Sequence, residues 1–209
     1  MTAKTAQLAS LVDRAAATLD VSVDAASRTG VLAWLDRLQE WNARIDLTAA
    51  RSPEELVDLM LADALVLSGH VPRQSRVVDV GTGAGAPGLA LALLRPDLKV
   101  TLVEPLGKRA AFLRTALGAA SRADVSIDRA RGESLAGRRA WDIAVSRATL
   151  APAAWLELAV TLAAPGGSVW VLLARDEAPV HARARAEEDL TYVWPLTGAA
   201  RRAVRYRVI

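Results

Sequence analysis

The sequence of 209 residues contains no cysteine and two histidines, His70 and His181. Without cysteine there can be no disulfide, thiolate metal site or cysteine nucleophile, and two histidines argue against a histidine-rich metal site or a histidine-dependent triad. No apolar run reaches the roughly 18–20 residues that span a bilayer. The opening segment, MTAKTAQLASLVDR, contains an acid and no apolar block before a cleavage site, so we expect no signal peptide. These absences predict a cytoplasmic protein with no membrane segment and no bound metal.

Lysine is also scarce. Of the 26 basic residues, only Lys4, Lys99 and Lys108 are lysines and the rest are arginines. The formal net charge is +3. The planar guanidinium of arginine binds two phosphate oxygens at once. An arginine-rich composition can equally reflect a genome-wide codon bias, so the charge permits a nucleic-acid partner without requiring one. Apolar residues make up 52% of the chain and charged residues 23%, which predicts one buried core and no extended disorder.

The first 70 residues are predicted to be helical, because their apolar positions recur at helical spacing. The clearest helix start is Ser52, a suitable N-cap, with Pro53 at the first helical position and Glu55 completing a Ser-x-x-Glu capping box. Gly69 is the expected end of that helix. We interpret residues 1–70 as a helical N-terminal extension and residues 71–209 as one domain.

After Pro72, short β-branched runs alternate with apolar helical stretches. The predicted strands are Val77–Val80, Val100–Val103, Val125–Ile127, Ile143–Val145, Val169–Leu173, Thr191–Trp194 and Ala203–Val208. The predicted helices between them lie near 87–95, 107–119 and 151–163. This alternation indicates an α/β fold with a parallel sheet and helices on both faces. The last two strands are expected to form a hairpin at one edge of the sheet.

The segment from Arg76 to Gly88 has the pattern of a strand, a glycine-rich turn and a helix that begins at Pro87. Glycines let the backbone turn sharply and let a ligand approach it closely. The next strand ends at Glu104, nineteen residues beyond Gly85. A carboxylate there can accept hydrogen bonds from both ribose hydroxyls of a bound nucleoside. The segment therefore predicts a site for a nucleoside-containing cofactor.

Two cofactor classes share this pattern. Gly83, Gly85 and Gly88 formally match the dinucleotide fingerprint, which would indicate NAD. Asp79, two residues before the first loop glycine, argues against NAD because an acid there would repel a pyrophosphate. An acidic strand end suits the sulfonium and ammonium groups of S-adenosylmethionine. We therefore favour S-adenosylmethionine over NAD, and a glycine-rich turn without a ligand is the remaining interpretation.

The residues available for chemistry restrict the acceptor of a methyltransferase, whose catalysis is largely positioning. Methylation of pyrimidine C5 usually employs a cysteine, which this chain lacks. Methylation of exocyclic base amines usually employs an Asn-Pro-Pro-Tyr-like motif after the fourth strand, where this chain has Arg147-Ala148. The N7 atom of guanine has a free lone pair and requires no general base. The sequence is compatible with that acceptor.

Over roughly residues 30–175, the chain resembles a bacterial family of small-subunit ribosomal RNA guanine-N7 methyltransferases, the glucose-inhibited division protein B family. The motifs that carry the resemblance are Trp41-Asn42, Leu47-Thr48, the loop from Asp79 to Gly85 with Pro87-Gly88, Leu106-Gly-Lys108-Arg109 with Phe112-Leu113, and Ser146-Arg147-Ala148. Together they are far more specific than a glycine-rich loop alone.

The resemblance implies a Rossmann-like, seven-stranded class I S-adenosylmethionine-dependent methyltransferase fold in residues 71–209, behind the helical extension. It implies S-adenosylmethionine as cofactor and ribosomal RNA or the small ribosomal subunit as partner, and we expect a monomer. The predicted cofactor-binding residues are Asp79, Gly81, Thr82, Gly83, Ala86, Glu104, Gly132, Glu133 and Arg147. Glu133 is expected to hold the adenine edge. Arg147, at the carboxyl end of the fourth strand, would engage the methionine carboxylate or an RNA phosphate, and it is the candidate catalytic residue.

Some positions depart from the family pattern, and we expect the lost polar groups to flank the acceptor rather than the donor. The departures are Asp46 for asparagine, Met60 for histidine, Ala64 for serine, Ala86 for a large apolar residue and Leu173 for lysine. They leave two further functions open. One is a divergent relative that methylates another RNA site or a small molecule, and the other is a non-catalytic protein that binds cofactor or RNA.

Overall fold

The structure is a computed structural model that describes residues 3–209. Its helical elements in chain order are α1 (Ala3–Thr18), α2 (Ala25–Asn42), α3 (Pro53–Val57), a π-helical turn (Asp58–Ala62), α4 (Asp63–Ser68), α5 (Gly88–Leu94), α6 (Gly107–Ala119), a 3-10 turn (Gly132–Leu135) and α7 (Pro152–Leu162). Each predicted helical region is therefore present. The helix predicted from Ser52 to Gly69 is divided by the π-helical turn into α3 and α4, and the 3-10 turn is additional.

A seven-stranded sheet forms the centre of the molecule. Its strands are β1 (Arg76–Val80), β2 (Lys99–Val103), β3 (Ser126–Asp128), β4 (Trp141–Ser146), β5 (Ala163–Leu173), β6 (Ala184–Val193) and β7 (Ala200–Val208). Their order is β3-β2-β1-β4-β5-β7-β6. The first five strands pair in parallel, and β7 pairs antiparallel with both β5 and β6. The predicted α/β class and the edge hairpin are confirmed.

Most strands are longer than the sequence predicts, and β5 and β6 differ most. β5 begins at Ala163 rather than Val169, because the segment with Pro165 and two glycines has the composition of a turn. β6 begins at Ala184 rather than Thr191, because its first residues are mostly charged and exposed. An edge strand with a solvated face does not need the apolar alternation that identifies a half-buried strand.

The helix begins at Ser52 as predicted. The N–H group that donates to the Glu55 side chain, however, belongs to the residue before the cap. The Ser52 hydroxyl accepts a hydrogen bond from the Glu55 N–H at 3.1 Å. The Glu55 carboxylate accepts from the Arg51 N–H at 2.7 Å rather than from the N–H of the cap residue itself. Both bonds satisfy donors that a helix N-terminus would otherwise leave unpaired.

Apolar clusters cover the two faces of the sheet. One contains residues of α1, α2, α4, α5 and α6, with Trp34 and Phe112 completely buried. The other contains residues of α7 and the 3-10 turn, with Trp155 at its centre. The helices of the N-terminal extension share the first cluster with the sheet residues Val77 and Trp170. The extension therefore packs directly on the sheet, and the boundary at residue 70 stays a prediction.

Within residues 3–209, no helix combines the length and the apolar composition needed to cross a membrane.

Candidate functional site

The glycine-rich loop follows β1 at the carboxyl edge of the parallel strands, where ligands of such sheets bind. The N–H groups of Gly81 and Thr82 both donate to the Val103 carbonyl, at 2.8 and 3.1 Å, which fixes the loop to the end of β2. Gly81 has a φ of +69°, and a Cβ atom built there would lie 2.2 Å from the Thr149 hydroxyl oxygen. Both the conformation and the space at this position therefore require glycine.

Asp79 is a completely buried carboxylate in β1, directly before the loop. Its Oδ2 accepts a hydrogen bond from the Gly88 N–H at 2.8 Å, which ties the strand to the start of α5. Its Oδ1 and the Thr82 hydroxyl are both buried, and an interaction of this hydroxyl with the carboxylate partly opposes the effect of burial on the pKa of Asp79. Burial raises the pKa of Asp79 to about 6, because a charged carboxylate is poorly solvated there.

Glu104 follows β2, and its carboxylate binds the glycine-rich loop. Its Oε2 accepts from the Gly83 N–H at 3.0 Å, and its Oε1 accepts from the Leu106 N–H at 2.9 Å. The residue is only 2% exposed. Each carboxylate oxygen can accept a second hydrogen bond. Glu104 therefore holds the loop in shape and retains acceptors for a ligand.

The main cleft, of about 550 Å³, lies between the ends of β1, β2 and β4 and the 3-10 turn. Five of the predicted site residues line it, namely Gly81, Glu104, Gly132, Glu133 and Arg147. The other four, Asp79, Thr82, Gly83 and Ala86, belong to the β1 end and the loop and do not line the cleft. The sheet register explains this convergence, because Val80 pairs with Val103 and Asp79 pairs with Val145.

Glu133 reaches the main cleft because the 3-10 turn packs closely on β1. A Cβ atom at Gly132 would lie 2.5 Å from the Val80 side chain, so only glycine permits this approach. The Glu133 carboxylate is exposed and makes no hydrogen bond or ion pair within residues 3–209. It is available to a ligand in the main cleft.

Arg147 is held by the segment that contains the π-helical turn. One of its terminal nitrogens donates to the Leu59 carbonyl and to the Asp63 carboxylate, the latter at 3.2 Å. Arg147 is thus bound to the π-helical turn and to the start of α4 in addition to lining the main cleft. Its predicted role toward a methionine carboxylate or a phosphate stays a prediction.

Asp63 connects Arg147 to the β6–β7 hairpin. Its Oδ1 accepts from the Tyr192 hydroxyl at 2.9 Å and from the Trp194 indole N–H at 2.8 Å. Burial, followed by the negative charge of Asp63, raises the pKa of Tyr192. The sequence did not identify Tyr192 or Trp194 as site residues, because they lie about 130 positions from Asp63 and no local pattern links them.

A second, smaller cavity, which we name the side cavity, has a volume of about 260 Å³. It shares Arg147, Ala148 and Leu150 with the main cleft. The rest of its wall comes from the π-helical turn, the start of α4, the last residue of β4, α7, the end of β5, the loop that follows β5, and the β6–β7 hairpin. The two spaces are therefore neighbours on either side of the segment that follows β4.

The departures from the family pattern lie in different surroundings. Met60 and Ala64 are buried in the first apolar cluster and line neither the main cleft nor the side cavity. Asp46 is exposed in the loop between α2 and α3, and Ala86 is buried behind the main cleft. Only Leu173 lines the side cavity. The expectation that these positions flank the acceptor thus has structural support at Leu173 alone.

In a comparison with known protein families, residues 29–193 match the family model described as rRNA small subunit methyltransferase G. A ribosomal RNA small subunit methyltransferase G of Anaeromyxobacter dehalogenans (strain 2CP-C) is 36% identical over 205 residues, covering 90% of this chain and 92% of the relative. The protein of the same name from Chromohalobacter salexigens is 40% identical over 167 residues, covering 80% of this chain and 79% of the relative.

The chain belongs to the rRNA small subunit methyltransferase G family. It is therefore a methyltransferase, and S-adenosylmethionine is the cofactor of this class of enzyme, so both predictions are confirmed. Among solved structures, an O-methyltransferase from Bacillus cereus in complex with SAH superposes with a TM-score of 0.55 at 17% identity, covering 84% of this chain and 90% of that chain. That likeness confirms the predicted Rossmann-like methyltransferase fold.

The residues present fit S-adenosylmethionine. Glu104 follows β2 and Glu133 lies in the 3-10 turn after β3, and both carboxylates line the main cleft, where hydroxyl and amine donors of a nucleoside can reach them. Asp79 adds a buried acid beside the loop, which favours a cationic ligand over a pyrophosphate. Within residues 3–209, no group of three or more metal-binding side chains occurs.

Proposed function

We propose that this chain transfers a methyl group from S-adenosylmethionine to N7 of a guanine in small-subunit (16S) ribosomal RNA. The observation that carries the proposal is the main cleft, in which the acids of a methyl-donor site meet Arg147-Ala148 at the end of β4. That position lacks the tetrapeptide used to methylate the exocyclic amines of nucleobases. Methylation of guanine N7 requires no general base, because its lone pair is already free. The names of the relatives in the family support ribosomal RNA as the acceptor.

The donor-binding roles follow from the side chains of the main cleft. S-adenosylmethionine supplies an electrophilic methyl group on a sulfonium centre. Glu104 accepts hydrogen bonds from the ribose hydroxyls, using the acceptor sites left free by its contacts to Gly83 and Leu106. Glu133 and neighbouring N–H groups hold the adenine edge. Asp79 supplies negative potential beside the positive groups of the donor, and Arg147 orients donor and acceptor.

A basic rim beside the main cleft supports an RNA partner. Lys108 and Arg109 begin α6, and Arg129 and Arg131 follow β3. Arg109 and Arg131 line the cleft itself. None of the four forms a salt bridge with another part of the chain between residues 3 and 209. Unpaired cations at the entrance of a cleft are suited to bind backbone phosphates.

We also propose a cytoplasmic monomer in which residues 1–70 form a helical extension packed on the methyltransferase domain of residues 71–209. The buried contacts of α1 and α2 with the rest of the first apolar cluster support that arrangement.

The proposal is tested by incubating the protein with methyl-labelled S-adenosylmethionine and small ribosomal subunits from cells that lack this modification. We expect label in the ribosomal RNA from wild-type protein and none from Gly81→Ala, whose new methyl group would collide with Thr149. Naked ribosomal RNA is assayed in parallel to identify the physiological form of the acceptor. Absence of label from wild-type protein, with donor binding intact by calorimetry, would refute ribosomal RNA as the acceptor and favour the divergent-relative hypothesis.

A further inference from the structure

The side cavity is positioned to present a second ligand to the main cleft. Arg147, Ala148 and Leu150 belong to the walls of both spaces. Methyl transfer by in-line displacement requires donor and acceptor atoms in direct contact. A ligand in the side cavity would meet a ligand in the main cleft at this shared segment.

The size and walls of the side cavity suit a single flat base. Its volume of about 260 Å³ is below the roughly 300–1,000 Å³ of pockets that hold drug-sized ligands. Its wall includes apolar side chains such as Leu59 and Leu173 and the tryptophans Trp155 and Trp194. Enzymes that modify bases take the base out of its stack and hold it between such side chains.

Most polar groups in this wall are already engaged. The Tyr192 hydroxyl, the Trp194 indole N–H and one Arg147 nitrogen all donate to Asp63, which is itself only 3% exposed. The Arg201 guanidinium lies over the Trp194 ring, 3.7 Å from its centroid. This network fixes the shape of the cavity, and these engaged donors and acceptors are not free to read a base.

Among the carboxylates of this wall that the structure describes, Asp176, an exposed residue, is the one without such a partner. It lies in the loop after β5, lines the side cavity, and makes no hydrogen bond or salt bridge within the part of the chain that the structure describes. A free carboxylate offers two adjacent acceptors. Guanine presents two adjacent donors, N1–H and the 2-amino group, on its Watson–Crick edge, whereas adenine presents one donor beside an acceptor. The carboxylate therefore selects guanine.

We propose that the side cavity is the acceptor subsite and that Asp176 is its specificity-determining residue, accepting hydrogen bonds from N1–H and the 2-amino group of the flipped guanine. This inference rests on the proposed function. Guanine N7 lies on the neighbouring Hoogsteen edge, which these two donors do not occupy. Binding the Watson–Crick edge at Asp176 leaves N7 free to face the segment shared with the main cleft.

The test compares Asp176→Asn with Glu177→Gln, a neighbouring exposed acid that does not line the cavity. For Asp176→Asn we expect kcat/KM on undermethylated small subunits to fall by about 10- to 100-fold, since one acceptor of the pair becomes a donor. Donor affinity by calorimetry should stay at the wild-type value in both variants. Glu177→Gln should retain wild-type activity.

A second measurement separates this inference from the proposed function. The protein is saturated with S-adenosylhomocysteine, and the indole N–H signals of Trp155 and Trp194 are followed by NMR during titration with guanosine monophosphate, inosine monophosphate or adenosine monophosphate. We expect guanosine monophosphate to shift these signals more than the other two, and the shift to disappear in Asp176→Asn.

The outcomes are distinct. If the wild-type protein methylates small subunits and Asp176→Asn is equally active, the inference is overturned and the proposed function still holds. Inactive wild-type protein whose tryptophan signals still respond to guanosine monophosphate through Asp176 overturns ribosomal RNA as the acceptor and supports the cavity assignment. Inactive protein with no response to any nucleotide overturns both.

Discussion

At the scale of single residues, Asp79 has the most unusual environment in the site. Its carboxylate is completely buried. Burial raises its pKa to about 6, above the ordinary value of 3.8. A cation bound nearby stabilises the ionised form, so protonation of Asp79 must oppose donor binding.

The first prediction concerns the pH dependence of donor affinity. In the protein without bound donor, Asp79 takes up a proton as pH falls through about 6. S-adenosylmethionine should therefore bind more weakly at pH 5 than at pH 7.5. In Asp79→Asn, affinity should be low and nearly constant over this range. Calorimetry at several pH values measures both, with the exposed Asp189→Asn as control. An equal pH dependence in Asp79→Asn would assign the effect to another group.

A second residue-scale prediction concerns Glu104→Ala. The substitution leaves the N–H groups of Gly83 and Leu106 without their acceptor and removes the proposed ribose contacts. Donor affinity should fall by about 1–3 kcal/mol, the range for loss of a buried hydrogen-bond partner. Calorimetry measures the loss, and thermal unfolding checks that the fold persists. Wild-type affinity in a folded variant would exclude Glu104 from the donor site.

At the scale of elements, the π-helical turn anchors the β6–β7 hairpin. Asp58, at its start, is buried and accepts from the N–H groups of Leu196 and Thr197 and from the Thr197 hydroxyl, the last at 2.7 Å. Asp63, directly after the turn, binds Tyr192 and Trp194. A single irregular helical segment therefore holds both the tip and the body of the hairpin, and with them one wall of the side cavity.

The third prediction tests this anchor. Asp58→Asn turns an acceptor-only carboxylate into an amide whose N–H₂ group cannot accept from the hairpin backbone. The free energy of unfolding should fall by about 1–3 kcal/mol. Asp46→Asn, which changes the same side chain at an exposed position, should stay within about 0.5 kcal/mol of wild type. Urea denaturation compares the two, and equal stabilities would show that the anchor contributes nothing.

Local sequence patterns predicted the elements that depend on local chemistry. The cap at Ser52 and the apolar strands such as Val77–Val80 are present because hydrogen-bonding side chains and β-branched runs act on their immediate neighbours. The first half of β6 was missed because its pairing with β7 compensates for a charged, exposed sequence. The π-helical turn begins at Asp58, whose partners near residue 197 are too distant in sequence for a local pattern to reveal.

At the scale of the whole molecule, the parallel sheet brings together groups that are distant in sequence. Asp79, Glu104, Glu133 and Arg147 follow or end four successive strands, so the alternating pattern predicted that they share one edge. The sequence could not predict which of them line the main cleft and which lie behind it. The side cavity was also not predictable, because its wall requires the hairpin to return across the end of β5.

The fourth prediction concerns the charge of the basic rim. Binding to small ribosomal subunits should weaken as salt rises, because phosphate contacts release counterions. Arg131→Ala should reduce the slope of log affinity against log salt by about 1 if Arg131 binds one phosphate. Arg14→Ala, an exposed arginine on α1, is the control and should leave the slope unchanged. Equal slopes for the three proteins would remove Arg131 from the RNA-binding surface.

The central claim is that the acceptor atom is N7 of a guanine in small-subunit ribosomal RNA. The most direct test is nucleoside analysis of subunit RNA after the methylation reaction, followed by mapping of the modified position. The account predicts 7-methylguanosine at a single position, dependent on active protein. A methyl group on a different atom or a different base, or label confined to molecules other than ribosomal RNA, would contradict it.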